Sequence, residues 1–211
     1  MAKGARGGKR GNTPGGFTES EGRALDWYVS GEGMWINQAL RGNGEITMSD
    51  LTSDERAMMR NLDSALDKTV NSDTLYRSVD ASAIFGDSID FENLEAAIVY
   101  GDNNRFAQAA ANQANQVVGK TINEKGYMST TRSEDIAAGF GSFTGASNPI
   151  VMKIKTSKST KGADVSNATE GIRRSERSDP QKETLLARGQ SYVVEKVYSK
   201  NGQIYVDVNM K

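Results

Sequence analysis

The chain has 211 residues, enough for one well-buried domain, and its 26 basic and 27 acidic side chains leave a net charge of −1, so bulk charge does not call for a polyanionic partner. It contains neither histidine nor cysteine. Ser-His-Asp and Cys-His catalysis, disulfides and the usual zinc ligands are therefore excluded, and any chemistry must run on carboxylates, amides, hydroxyls, Arg, Lys or Tyr.

Met1 to Gly16 holds Lys3, Arg6, Lys9 and Arg10 among glycines, with no acid. With nothing to bury, residues 1–17 read as a disordered tail and 18–211 as one domain. Glu19 to Val29 reads as a helix broken by Gly31-Glu32-Gly33, and Met34 to Arg41 as a short helix ended by Gly42-Asn43-Gly44. Thr52-Ser53-Asp54-Glu55 fits a capping box, and behind it Met58, Met59, Leu62, Ala65, Leu66 and Val70 recur at helical spacing. Thr74 to Val79 reads as a strand, followed by helix from Asn93 to Val118 with a break near Gly101-Asp102.

From there the texture changes to strands. Gly126 to Thr131, Ile150 to Lys155, Glu183 to Leu186, Ser191 to Tyr198 and Gln203 to Val208 are short and rich in β-formers, and Asn201-Gly202 marks a hairpin. Ser133 is a candidate N-cap for a short helix between the first two. Helices first and strands later predict an α+β fold with mainly antiparallel sheet. Ser166 to Pro180 is a long polar loop carrying Arg173, Arg174 and Arg177. No apolar run approaches the roughly 18 residues of a membrane span, and no signal-peptide apolar region is evident. The chain reads as soluble, with any export by another route than a cleaved leader.

Three segments carry candidate chemistry. In Gln181-Lys182-Glu183, strand alternation puts the amide and the carboxylate on one face. Leu75-Tyr76-Arg77 places an arginine on a strand, and Gly126-Tyr127-Met128-Ser129-Thr130-Thr131 is a strand of hydroxyls. Singly, each is ordinary strand surface. In this order and spacing they resemble the Arg–Ser–Glu class of ADP-ribosyltransferases, nearest the bacterial exoenzymes that include the clostridial Rho-modifying enzymes. The likeness runs from Glu21 to Val208. Ile36 to Arg41, Asn61-Leu62-Asp63-Ser64-Ala65, Val118 to Thr121, Pro149-Ile150-Val151 and the run from Glu183 to Gly189 support it.

The resemblance implies a monomeric domain in which N-terminal helices pack on two mainly antiparallel sheets around an NAD+ cleft. NAD+ is the co-substrate, and no metal is implied. Cleaving the nicotinamide–ribose bond builds positive charge on the ribose, which a fixed carboxylate stabilises in the transition state. Glu183 takes that role by resemblance. Arg77 meets the pyrophosphate region, where a guanidinium fork is suited to phosphate. Ser129 is expected to hydrogen-bond Glu183. Ser129, Thr130 and Thr131 form the NAD+-binding hydroxyl strand, Thr130 pointing away from the face the other two share.

Asn37 and Arg41 resemble helix residues that contact the NAD+ phosphate or adenosine. Phe140 or Phe143 would pack on nicotinamide. The arginine that relatives carry in that loop is missing between Gly139 and Pro149, leaving Arg132 or another residue to replace it. Gln181, where relatives that modify arginine carry Glu, implies a protein side chain other than arginine as acceptor. Arg173, Arg174 and Arg177 lie in the expected acceptor-recognition loop. Nucleic acid, through a guanine base, is the alternative acceptor, and a non-catalytic NAD-binding module is the rival on the same fold. Slow NAD+ glycohydrolysis without acceptor is also expected, in a toxin or effector.

Overall fold

The computed structural model describes residues 12–13, 16–33, 35–42, 44–97, 102–140, 148–165 and 183–211. A two-strand ribbon, β1 (Asn12–Thr13) with β2 (Phe17–Thr18), leads into α1 (Glu19–Val29), α2 (Ile36–Arg41) and α3 (Ser53–Leu66). Then come β3 (Thr74–Asp80), α4 (Ser82–Phe85), α5 (Phe91–Ala97), α6 (Asn103–Ala114), β4 (Thr121–Glu124), β5 (Met128–Thr131) and α7 (Glu134–Phe140). The chain ends in β6 (Pro149–Lys155), β7 (Gly162–Asp164), β8 (Glu183–Leu186), β9 (Gln190–Lys200) and β10 (Gln203–Met210).

Both long N-terminal helices start from capping boxes, the second of them as the Thr52–Glu55 spacing predicts. In the first, Glu21 Oε2 accepts from the Thr18 amide at 2.7 Å, and the Thr18 hydroxyl accepts from the Glu21 amide at 3.3 Å. The other Glu21 oxygen accepts from the Ser64 hydroxyl at 2.7 Å, which ties the start of α1 to α3. Between these helices lies a core of Leu25, Tyr28, Ile36, Leu62 and Leu66, closed from the sheet side by Tyr127 and Leu185. Fully burying each leucine stabilises the fold by about 1.5–3 kcal/mol. A second core, under α5 and α6, is built from alternate strand residues such as Ile150, Met152, Ile154, Val206 and Val208.

The eight strands run in the order β4-β9-β10-β6-β3-β5-β8-β7. β10 and β6 are parallel and every other pair is antiparallel. Asn201 and Gly202 turn the β9–β10 hairpin, both with positive φ, at 52° and 75°. The sheet is almost severed between β3 and β5. β3 pairs with β6 along its whole length, from Thr74 to Asp80, but with β5 only at Tyr76↔Thr131. Beyond that pair, residues 77–80 and 128–130 part. The two expected sheets are thus two halves of one sheet joined at a single register pair.

The α+β class follows the sequence reading, and α1 and β8 fall at the residues expected. The tail boundary needs correction. Phe17 is 2% exposed and pairs through β2 with Asn12–Thr13, so the folded domain begins before residue 18. Three short elements, α4, β4 and β7, had no sequence signal. Among the described residues no helix is long and apolar enough to cross a membrane.

Candidate active site

Arg77 stands one residue past the last β3–β5 pair, where the ladder opens. Its Nε is buried and has no hydrogen-bond partner among the described residues. Burial, and then the nearby Arg41 guanidinium, push its pKa below the usual arginine range; Glu124, Tyr28 and Tyr192 partly oppose them. A buried donor left unpaired costs about 1–3 kcal/mol, more when charged. Two guanidinium groups this close together suit the binding of an anion.

Beside Arg77, α1, α2 and the start of β5 are tied together. Asn37, 9% exposed, donates from Nδ2 to the Tyr28 hydroxyl at 2.7 Å and to the Tyr127 carbonyl at 3.2 Å. Its Oδ1 accepts from the Tyr127 amide at 2.8 Å. Asn37 therefore splices α2 to β5, and both its N–H groups are engaged. The Tyr28 ring meets the Tyr127 ring edge-on at 5.4 Å between centroids. Burial raises the Tyr28 pKa, while hydrogen bonds with Asn37 and Ser129 and the Arg77 and Arg41 charges pull it back.

Gly126 makes this close approach feasible. A Cβ there would lie 2.7 Å from Asn37 Oδ1 and 3.1 Å from the Arg41 guanidinium carbon. Arg41 Nε donates to Glu124 Oε1 at 2.9 Å, and the same oxygen accepts from the Gly126 amide at 2.7 Å.

On β5, Ser129 stands opposite Leu185, while Thr131 stands opposite Glu183. Ser129 and Glu183 are thus diagonal neighbours, about 7–8 Å apart and within reach of a long side chain. Ser129 also lies near Tyr28, whose pKa it helps to lower. Thr130 points away, as the strand alternation implies. It is 4% exposed and its hydroxyl donates to the Thr184 carbonyl, so it locks β5 to β8 rather than facing a cofactor. Thr131 Oγ1 accepts from the Ser133 amide at 3.1 Å, shaping the turn into α7.

Arg132, considered as a replacement phosphate ligand, is instead held by Asp164 at 2.7 Å. Phe140 ends α7 and is 43% exposed. Gln181, Phe143, Arg173, Arg174 and Arg177 lie outside the described residues.

Behind the site a second polar network ties both site-bearing strands to α3. Asp63 receives Arg188 through Nε and Nη2, each at 2.8 Å, and the Tyr127 hydroxyl at 2.7 Å. The segments around Asp63 and Arg188, which support the family resemblance, are therefore linked by one carboxylate.

The sequence model of the ADP-ribosyltransferase exoenzyme family matches residues 9–211. The chain belongs to that family. Among solved structures, C3stau2 of S. aureus, determined with NAD, superposes with a TM-score of 0.69 at 23% identity over 92% of this chain and 88% of its own. The Clostridium limosum C3 exoenzyme gives 0.62 at 23% identity over 92% and 86%. The Vis toxin of Vibrio splendidus gives 0.60 at 17% identity over 92% and 74%. These likenesses establish the fold. No curated protein matches by sequence.

Tyr28, Tyr127, Glu124 and Tyr192 escaped the sequence reading as site residues. Nothing local in the Glu19–Val29 helix pairs Tyr28 with Asn37 across the glycine break.

Proposed function

We propose that this exoenzyme binds NAD+ at the β3–β5 gap, cleaves its nicotinamide–ribose bond and transfers ADP-ribose to a macromolecule. The observation that carries the reading is the buried, unpartnered Arg77 Nε beside Arg41, an anion site in a chain of this family. Arg77 and the open nitrogens of Arg41 hold the pyrophosphate. Asn37, Tyr28 and Ser129 keep the pocket wall in place. Glu183 lies beside the ribose.

As the glycosidic bond breaks, nicotinamide leaves with the bonding electron pair and becomes neutral, and the positive charge passes to the ribose. The Glu183 carboxylate stabilises that charge more than the ground state. An acceptor lone pair then attacks the anomeric carbon and the acceptor sheds its proton. Water in that place yields free ADP-ribose, so slow NAD+ hydrolysis accompanies transfer. Nicotinamide needs no obligatory proton to leave, which suits a chain without histidine.

Gln181 in place of Glu supports an acceptor other than arginine, and a protein side chain is the proposed class. Delivery as a toxin or effector follows the company this fold keeps, such as the Vis toxin.

Nicotinamide release from NAD+ tests the reading. Glu183→Gln should lower kcat by about 100-fold or more, the scale of losing one aligned electrostatic contact, with the fold intact by circular dichroism. Unchanged release in Glu183→Gln would refute it. Labelled NAD+ in a lysate should place the label in protease-sensitive material, and nuclease-sensitive label would replace the acceptor class with nucleic acid.

A further inference from the structure

We infer that Glu124 is a positioning residue for NAD+. It fixes the Arg41 guanidinium at the edge of the Arg77 pocket, so that the two terminal nitrogens of Arg41 stay presented to the dinucleotide. The inference rests on the NAD+ reading given above.

Glu124 closes β4, the outer strand of the larger half-sheet, where it pairs with Gln190 of β9. A single oxygen, Oε1, receives two N–H groups from two different elements, Arg41 Nε of α2 at 2.9 Å and the Gly126 amide before β5 at 2.7 Å. The carboxylate side chain is 15% exposed and the arginine 30%, so the pair is shielded without being sealed.

The choice of atom matters. A guanidinium has five N–H donors in a fixed fork. Holding it by Nε leaves both terminal nitrogens free to engage an anion side by side, and among the described residues neither makes a hydrogen bond. Arg41 lies close enough to Arg77 for each charge to disfavour the other. Without an anchor, Arg41 would swing toward solvent, both to escape Arg77 and to recover the rotamer freedom of a long side chain. Glu124 removes that freedom before the ligand arrives, the general route by which preorganisation raises affinity.

The same oxygen also sets the β4–β5 turn. By holding the Gly126 amide it keeps the glycine backbone against Asn37 and Arg41, where a Cβ would collide. One carboxylate oxygen thus aligns the helix that presents Arg41 with the strand that presents Ser129.

Steady-state nicotinamide release and NAD+ calorimetry test this. Glu124→Ala should raise KM and Kd for NAD+ about tenfold while kcat stays within about twofold, because the anchor acts on binding and not on bond cleavage. Glu124→Gln keeps an oxygen that accepts both N–H groups and should stay within about threefold of the parent in KM. Arg41→Lys leaves the Glu124–Gly126 bond in place but loses the fork, and should reproduce the tenfold rise, which keeps the test sound if Glu124→Ala folds poorly.

Unchanged KM in Glu124→Ala, a fall confined to kcat, or Glu124→Gln as damaging as Glu124→Ala would each overturn the assignment. If the parent enzyme releases no nicotinamide, the NAD+ reading itself fails. If the parent is active and the variants match it, only the role of Glu124 fails.

Discussion

Arg77, on β3 of the larger half-sheet, and Arg188, just past β8 of the smaller one, meet surroundings that treat the same charge in opposite ways. Arg188 follows β8 and meets both oxygens of Asp63, which also receives the Tyr127 hydroxyl. That pairing, led by the hydrogen bond to Asp63, pushes the Arg188 pKa up. Arg77 has a buried Nε with no partner among the described residues, a second arginine nearby, and a pKa pushed down by burial. One charge is neutralised within the fold; the other is held for something that arrives later. The contrast supports the proposed placing of NAD+ at Arg77, because a buried donor without a partner is tolerated only where another gain offsets it.

The largest expected effect breaks this comparison from the Arg77 side. Arg77→Met should weaken NAD+ binding by about 10–100-fold, the scale of one or two charge-assisted contacts. Its melting temperature should hold or rise, since an apolar side chain in place of an uncompensated buried charge is often neutral or stabilising. Calorimetry and thermal unfolding on one preparation check both halves. A melting temperature several degrees lower would show that Arg77 is structural after all.

Arg188→Met should give the reverse pattern. Two charge-assisted bonds disappear, but Arg188 and Asp63 side chains are each 35% exposed, so solvent screens part of the loss. About 1–3 kcal/mol is expected, a drop of several degrees in Tm for a domain of this size. NAD+ affinity of the folded fraction should change little. Denaturant unfolding measures the first and binding the second, and a large affinity loss with unchanged stability would erase the distinction between the two arginines.

How far the sequence foretold this depends on the range of the signal. The Thr52 capping box, the Asn201-Gly202 turn and the bounds of α1 and β8 rest on neighbours a few residues apart, and they were legible. The proposed set of Arg77, Ser129 and Glu183 likewise rests on residue types in fixed order. The partners were not. Asn37 meets Tyr127 across 90 residues, Arg188 meets Asp63 across 125, and Arg41 meets Glu124 across 83. No periodicity encodes such pairings. Nor does order along the chain say which register pair a strand residue occupies: Thr131, not Ser129, stands opposite Glu183, and Ser129 is its diagonal neighbour.

The smallest expected effect uses tyrosines that line the two regions as reporters. Tyr192 borders the Arg77 pocket and has its pKa pushed up to about 12, first by burial and then by Glu124, with Arg77 and Arg41 working against the rise. Tyr127 belongs to the Arg188 network, where burial and then its bond to Asp63 also raise its pKa. Both stay protonated in the fold at a pH where an unfolded tyrosine, near 10, already ionises. The unfolded chain then binds fewer protons, so stability present below pH ~10 is lost as pH rises toward the folded values. Tyrosinate absorbance against pH should resolve the regions. Arg77→Met should move the Tyr192 titration upward by less than about one unit, since a charge favouring the phenolate is gone. Asp63→Asn should move the Tyr127 titration downward, since a charge opposing the phenolate is gone. Were Arg77→Met to leave every tyrosine in place, Arg77 would not be exerting its charge within the cleft, and the contrast with Arg188 would rest on hydrogen bonding alone.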